Sequence, residues 1–209
     1  MFDSSFGSSK FHKLLFRFDQ DIASKTRADK CPYCGGKLHV GNYLRHPRGT
    51  YGMEHEQANL RFSFCCGREG CRRRVTPPSV RFLGRKVYSG ATVVLVTAMR
   101  CRDAKQALNR IKALFGVGNR TVQRWRIWWQ QYFPKTIFWT IAKGYFSEPI
   151  QETSLPASLL DRFQGANLES RLFATLRFLT MLSASYFKIN HRGVSPRRTW
   201  PLTSDFCVL

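Results

Sequence analysis

The sequence predicts a mainly α-helical protein with a small β ribbon near its N-terminus. Cysteine pairs bracket residues 31–71, and apolar residues recur at helical spacing from residue 89 onward. A net charge of +21 on 209 residues indicates a polyanionic partner. The predicted segments are an N-terminal segment (1–29), a zinc ribbon (30–75), a helix-turn-helix domain (76–134), a helical C-terminal region (135–189) and a loose tail (190–209).

The N-terminal segment begins with a Gly- and Ser-rich stretch, residues 1–10, and the spacing that follows predicts a short helix over Phe11–Ala23 with Leu14, Leu15 and Phe18 on one side. Charged residues interrupt this stretch, so we expect no secretory signal. The longest apolar run, 87–99, is about thirteen residues and too short to span a bilayer. These features predict a cytoplasmic protein without a membrane partner.

The ribbon begins with Cys31-Pro32-Tyr33-Cys34, which two glycines follow. This spacing lets two thiolates turn onto one ion while backbone amides point at the sulfurs, as tetrahedral Zn²⁺ requires. The alternating stretches Lys37–Val40 and Arg61–Cys65 predict paired strands. A loop rich in Gly, Pro and charge, residues 46–52, lies between them.

The second cysteine pair comes about thirty residues later. We favour Cys66 with Cys71, because Gly67 and Gly70 allow a tight loop between them. Cys65 would then point to the other face of its strand. We therefore expect one Zn²⁺ held by Cys31, Cys34, Cys66 and Cys71.

Other interpretations of the cysteines remain open at this stage. The thiols could be inert and buried, or two of them could form a disulfide. One of His39, His46 and His55 could replace a cysteine as a ligand. Seven cysteines, an odd number with metal-like spacing, favour a reducing compartment.

The next segment predicts two DNA-binding helices. Thr76–Ser79 is a rigid linker because of its two prolines, and Ser89–Met99 predicts a buried helix. Apolar residues then follow a helical face over Asp103–Phe115, the sequence Gly116-Val117-Gly118 breaks it, and helical spacing resumes over Asn119–Phe133. Two short helices, joined by a glycine-containing turn with an inward Val117, predict a helix-turn-helix.

The charge distribution assigns two classes of DNA contact. Residues 61–143 carry 18 Lys or Arg against two acids, a net charge of +16. In a helix-turn-helix the first turns of the second helix face base edges, which Arg, Asn and Gln side chains can read. The predicted base-facing residues are Asn119, Arg120, Thr121, Gln123, Arg124 and Arg126. The predicted phosphate contacts are Arg72, Arg73, Arg74, Arg81, Arg85 and Lys86.

The basic and aromatic residues of this segment also allow other interpretations. The arginines could belong to a solvated face of an ordinary helical hairpin. Trp125, Trp128 and Trp129 could stack on single-stranded bases, but such clusters more often form core. A membrane surface is the alternative polyanion, although the basic residues do not flank one amphipathic helix.

The C-terminal half predicts one or two helices within Leu159–Phe187. Five acids follow Phe133, scattered among helical and loop segments with no strand pattern to bring them together. No Ser/His or Cys/His catalytic set is evident. We therefore expect a protein that is not an enzyme. The five acids are Glu148, Glu152, Asp161, Glu169 and Asp205.

The order of these motifs resembles the N-terminal DNA-binding half of zinc-ribbon insertion-sequence transposases. The matching residues are Cys31–Gly35, Cys66, Cys71–Arg74 and Leu114–Trp125, within residues 30–133. The resemblance implies a prokaryotic, nucleoid-associated protein of a mobile genetic element. Such transposases continue into a ribonuclease-H-like domain with three metal-binding carboxylates. Here only 76 residues follow Phe133.

Together, the motifs and the resemblance predict a zinc-dependent protein that reads duplex DNA as an accessory factor, targeting factor or repressor. A separate transposase or recombinase, and a second copy of the chain, are the candidate protein partners. Two alternatives remain: a truncated or divergent transposase or nuclease, and an adaptor that binds RNA or a nucleoprotein assembly.

Overall fold

The computed structural model describes residues 9–49, 59–84, 87–101 and 115–183, together with residues 109 and 113. This part of the chain is mainly helical with two small antiparallel sheets, which confirms the coarse fold class. The helices are α1 (Ser9–Ala28), α2 (Gly90–Cys101), α3 (Asn119–Ile127), α4 (Ile137–Ala142), α5 (Ala157–Arg162) and α6 (Leu168–Leu179). The strands are β1 (Leu38–Val40), β2 (Tyr43–Leu44), β3 (Leu60–Arg61), β4 (Phe64–Cys66) and β5 (Arg74–Val75).

Helix α1 is longer than the sequence predicted, and its buried face is different. Phe11, Leu15 and Ile22 are buried, whereas Leu14 is 46% exposed. The prediction that Leu14 shares the buried side was therefore wrong, because a residue next to Leu15 points about 100° away from it on a helix. Lys25 and Arg27 in the last turn favour the helix C-terminus, where the carbonyl groups concentrate negative charge.

Residues 30–75, which we call the cysteine module, contain both sheets. The larger sheet has the order β1-β4-β5, with Leu38 opposite Cys66 and Phe64 opposite Val75. The smaller sheet pairs β2 with β3. The single strand predicted near residues 61–65 is therefore two strands with different partners. The third strand, β5, was not predicted, because its residues were interpreted as a basic tail.

The module has a small apolar core of its own. The inward side chains of the larger sheet pack with two of the cysteines and with Ala23 of α1. This cluster consists of Ala23, Cys31, Leu38, Phe64, Cys66 and Val75. So few apolar residues provide limited stability, which makes the cysteine cluster important for this part of the fold.

The helical core comprises α2–α6 and the N-terminal half of α1. Its largest buried side chains are aromatic: the ring centroid of Phe133 lies 4.8 Å from Trp129 and 5.0 Å from Trp139. Trp125 and Trp129 are also buried, so the alternative that these two rings stack on bases is wrong.

Helix α3 begins at Asn119, as the Gly-Val-Gly sequence predicted. Its α-helical hydrogen bonds end at Ile127, and a π turn over Trp128–Tyr132 continues the predicted helix. The N–H of Phe133 reaches back to the carbonyl of Trp128. Pro134 follows at once, and its missing N–H and its ring disfavour a regular α-helix here.

The apolar cluster of the helical core runs across the predicted boundary between residues 134 and 135. It joins Val122 and Trp129 on one side to Trp139, Leu159 and Leu176 on the other. The two segments thus share one core. The first predicted helix of the helix-turn-helix, 103–115, lies almost entirely outside the described residues, and the tail from 184 onward lies outside them as well, so those assignments stay predictions.

Candidate metal centre and basic surface

Four cysteine sulfurs meet at one end of the larger sheet. The Sγ atoms of Cys31, Cys34, Cys66 and Cys71 all lie within 4.8 Å of one another. Cys31 and Cys71 are 3.8 Å apart, and Cys34 and Cys66 are 3.4 Å apart. Both of these separations exceed a disulfide S–S bond of about 2.05 Å, and all four cysteines are free thiols arranged as a possible metal site.

Strand geometry decides which cysteine of the Cys65-Cys66 pair joins the group. Cys66 is buried opposite Leu38, whereas Cys65 points to the other face of the sheet between His39 and Arg74. As expected, Cys66 is the member of this pair that lies in the cluster with Cys31, Cys34 and Cys71. His39 and His46 are not members of the group, and His55 lies outside the described residues.

The first turn of the site depends on two glycines. Gly35 has a φ of +70°, and its N–H donates to the carbonyl of Cys31 at 2.8 Å. A Cβ on Gly36 would lie 3.0 Å from the sulfur of Cys66 and 3.2 Å from that of Cys34. The Gly35-Gly36 pair therefore makes the turn possible and leaves room for the sulfurs.

Backbone amides and burial set the acidity of the thiols. The N–H of Gly36 lowers the pKa of Cys34 to about 7. The N–H of Arg68 lowers the pKa of Cys66, but burial and the three neighbouring thiols raise it to about 12. Burial raises the pKa of Cys31. The cluster therefore forms one thiolate readily, and a bound cation would have to displace the protons that remain.

The three arginines after Cys71 differ in how far contacts with the module hold their side chains in place. The guanidinium of Arg73 lies 4.7 Å above the ring of Tyr33. Arg74 belongs to β5, and its Nη1 donates to the carbonyl of Gly41 at 3.1 Å and to Ser63 Oγ at 3.2 Å. Arg72 is exposed, with a backbone φ of +43°. The structure thus braces Arg73 and Arg74 against the module and leaves all three side chains at its surface.

Arg81 lies in the interior, unlike the other predicted phosphate contacts in the described part of the chain. The residue is 5% exposed, its Nε donates to Asp19 at 2.7 Å and its Nη2 donates to the carbonyl of Leu60 at 2.7 Å. A buried guanidinium with these hydrogen bonds cannot reach a phosphate, so the prediction that Arg81 contacts DNA phosphates was wrong. Arg85 and Lys86 lie outside the described residues.

Helix α3 sorts its side chains into two sides. The apolar Val122 and Trp125 are buried, and the Trp125 ring packs edge-on against Tyr88 at 5.0 Å. Thr121 and Arg126 are half-buried. The exposed side consists of Asn119, Arg120, Gln123 and Arg124.

The sequence analysis missed Asp19, which joins the two parts of the molecule. Its buried carboxylate accepts hydrogen bonds from Ser79 Oγ, from the Val80 N–H at 2.8 Å and from Arg81 Nε. The available signal was its position: Asp19 follows Leu15 by four residues on the buried face of α1. An acid at such a position needs a buried partner.

No protein family, curated protein or solved structure matches this chain. Within the described residues, every helix is too short or too polar to cross a membrane.

Proposed function

We propose that the four cysteines hold one Zn²⁺. In a tetrahedral site with Zn–S bonds of about 2.3 Å, the sulfurs are about 3.8 Å apart. The separations of 3.8 and 3.4 Å fall near this value. Four thiolates and no carboxylate suit zinc better than Mg²⁺ or Ca²⁺. The ion would join the turn after α1 to the loop after β4, which is a structural role and leaves no position open for a substrate.

We propose further that the protein is not an enzyme and binds duplex DNA through a helix-turn-helix whose second helix is α3. The observation that carries this proposal is the sorting of α3: its exposed side holds two Arg, one Asn and one Gln, while its apolar side is buried. These side chain types form bidentate contacts with guanine and adenine in the major groove. The surrounding positive charge supports a polyanionic partner.

The cysteine module would contribute affinity and little sequence information. Arg72 and Arg73 lie directly after the ligand Cys71, so the metal would fix their positions against a phosphate backbone. Arg74 would act as a brace for the hairpin as well as a charge, because its guanidinium is bonded to Gly41 and Ser63. This division follows the general pattern in which phosphate contacts position a protein and base contacts specify the site.

The acidic residues support a role without catalysis. Glu148 pairs with Arg162 at 2.8 Å, Asp161 approaches Arg171 at 3.5 Å, and Glu152 accepts from Trp139 Nε1 at 2.7 Å. Paired and separate carboxylates do not suit two-metal phosphodiester cleavage, which needs them converged. In the described part of the chain, the group that could hold a metal is the cysteine cluster.

From the resemblance noted in the sequence we infer that this activity belongs to a mobile genetic element of a prokaryote. There the protein would act as an accessory factor, targeting factor or repressor beside a separate transposase or recombinase. Cleavage of labelled duplex DNA with Mg²⁺ or Mn²⁺, lost on changing Asp161 or Glu169, would favour the truncated or divergent transposase or nuclease instead.

The DNA proposal is tested by comparing two classes of variant on a selected duplex and on random duplex, at several salt concentrations. We expect Arg120→Ala and Gln123→Ala to cost about 1–3 kcal/mol on the selected site only. We expect Arg72→Ala and Arg73→Ala to weaken both duplexes alike and to reduce the salt slope by about one.

Arg171→Ala is the matched control, because it removes one arginine from α6, outside both predicted classes. It should leave binding and the salt slope unchanged. Equal behaviour of both variant classes would mean that α3 is only part of a basic surface. Tighter binding of structured RNA than of duplex DNA at the same salt concentration would favour the RNA adaptor.

A further inference from the structure

Helix α4 and the 3₁₀ turn after it expose an apolar stripe. Ile137 is 44% exposed, Ile141 57% and Tyr145 62%. The other side of this element carries Phe138 and Trp139, which are buried in the helical core. With about 200 Å² for a fully exposed aromatic side chain and less for Ile, the stripe exposes on the order of 300 Å². Apolar patches of this size on soluble proteins often serve for binding.

The exposed residues between these side chains are Thr140, Lys143 and Gly144, and the Lys143 ammonium group lies 3.3 Å from a carboxylate oxygen of Glu152. Thr140 is exposed beside Ile141, and a Cβ on Gly144 would meet nothing within 4 Å. Small residues between large apolar ones allow a second helix to approach closely, because its side chains can fill the spaces between them. The stripe therefore has the relief that helix-to-helix packing needs.

The electrostatic setting of the stripe differs from that of the rest of the chain. Residues 133–183 contain five Lys or Arg and four acids, a net charge of +1 out of the total of +21. Two of these cations lie beside carboxylates, Lys143 at 3.3 Å from Glu152 and Arg162 at 2.8 Å from Glu148, whereas Lys135, two residues before Ile137, is exposed. The exposed apolar side chains thus lie in the part of the sequence where positive charge is balanced.

Exposed apolar side chains in a nearly neutral part of the chain favour a second copy of the chain as the partner that covers the stripe. A two-fold interface brings the same surface of both copies together, so any excess of one sign of charge on that surface faces itself. For a chain of +21, most surfaces are unsuitable for self-association, and a neutral apolar one is required. A different protein that binds this basic chain would more simply place its acidic residues against the arginine-rich surface than cover an uncharged apolar stripe.

We propose that the stripe Ile137–Ile141–Tyr145 is the centre of a two-fold homodimer interface. A stable specific interface buries about 800 Å² per partner, which is more than the apolar stripe itself exposes. Polar residues around the stripe must therefore supply the rest of the buried area, and we expect a dissociation constant in the micromolar range. The α4 helix follows α3 across the Pro134 turn, so the dimer would hold two copies of α3 at a fixed separation. The self-association itself does not depend on the proposed DNA binding.

The test is sedimentation velocity of the nuclease-treated, metal-loaded full chain without nucleic acid, over a range of concentrations. We expect the original chain to be in monomer–dimer equilibrium and Ile141→Arg to raise the dissociation constant at least tenfold. Val40→Arg is the matched control, since Val40 is also 57% exposed but lies in β1 of the cysteine module. It should leave the equilibrium unchanged. A monomer at all concentrations, or an equal effect of both variants, would overturn the proposal.

A charge-swap experiment excludes misfolding and other occupants of the stripe, including residues 184–209 of the same chain. Ile141→Arg and Ile141→Glu should each be monomeric alone, and their mixture should form a heterodimer, because opposite charges then meet near the two-fold axis. Circular dichroism should show that both variants remain folded. Failure of the mixture to associate would overturn the two-fold arrangement.

Discussion

The cysteine module and the helical core reach their stability in different ways. The module has short strands of two or three residues and an apolar cluster of six buried residues, two of which are cysteines of the possible metal site. The helical core buries Trp129, Trp139, Phe133 and several leucines completely or nearly so. Apolar burial can therefore hold the helical core without a ligand, whereas the module depends on its cysteine cluster.

The cysteine module also differs in charge from the C-terminal part of the helical core. Residues 30–75 carry nine Lys or Arg against three acids, whereas residues 133–183 carry five against four. A basic segment with a small core tolerates its self-repulsion only if something else holds it together. We infer a division of labour in which the cysteine module and α3 face the polyanion, while the nearly neutral residues 133–183 support protein contacts.

Removing the metal should give the largest difference in response between the cysteine module and the helical core. We expect Cys31→Ser to lose the zinc and to unfold the module, because structural zinc binding contributes on the order of 10 kcal/mol to folding. Tryptophan fluorescence should be nearly unchanged, since the buried indoles of Trp125, Trp129 and Trp139 belong to the helical core. Metal analysis, and hydrogen exchange of residues 30–75, provide the measurements.

Cys65→Ser is the matched control for this change. It alters a neighbouring cysteine on the opposite face of the same strand, so zinc content and exchange should stay as in the original chain. Loss of zinc from Cys65→Ser, or retention in Cys31→Ser, would show that the four sulfurs grouped in the structure are not the ligands.

The reciprocal change targets the helical core. Trp139→Ala should lower the free energy of unfolding by about 3–5 kcal/mol, because it empties a fully buried site beside Phe133 and Phe178. Zinc content should remain at one per chain. Denaturation followed by circular dichroism measures the loss, and Tyr132→Ala, which truncates a ring that is 61% exposed, should cost much less. A module that loses zinc in Trp139→Ala would contradict the independence of the two parts.

The joint between the two parts is the third place to test. Asp19→Asn keeps an acceptor for the Val80 N–H but leaves the buried Arg81 without its carboxylate, which should cost about 3 kcal/mol. Zinc should be retained, while hydrogen exchange should increase on both sides of the joint, in α1 and in residues 79–82. Asp21→Asn, two residues away and exposed, is the control. Equal stability of both variants would mean that the carboxylate does not hold the joint.

The features that the sequence predicted well depend on local chemistry. The Cys-x-x-Cys-Gly-Gly turn, the preference for Cys66 over Cys65 and the start of α3 at Asn119 each follow from a few neighbouring residues. Glycines permit the turns, and strand alternation separates Cys65 from Cys66. Such rules need no knowledge of the rest of the chain, so they succeeded here.

The features that it missed depend on residues far apart in the chain. Arg81 was assigned to a phosphate because nothing near it in sequence indicates Asp19, which lies 62 residues earlier. The shared core across residue 134 depends on Trp129 and Trp139 packing around the ring of Phe133, and Pro134 alone suggests only a break. The position of Arg74 in the third strand, β5, also depends on β4, where Cys65 lies opposite Arg74.

The smallest expected effect concerns Lys30, which links the end of α1 to Cys31 with a φ of +63°. A side chain in this left-handed region costs about 1 kcal/mol relative to glycine, which is the usual residue after a helix C-terminus. We therefore expect Lys30→Gly to raise the free energy of unfolding of the zinc-loaded protein by about 0.5–1 kcal/mol. Lys25→Gly, which removes the same charge inside α1, should lower it by about 1 kcal/mol. Urea denaturation of both variants measures the difference, and a change of the same sign in both would show that the backbone at Lys30 is not strained. If the module faces a polyanion as proposed, Lys30→Gly should at the same time weaken binding to all duplexes alike and only slightly, because the module then carries one cation fewer.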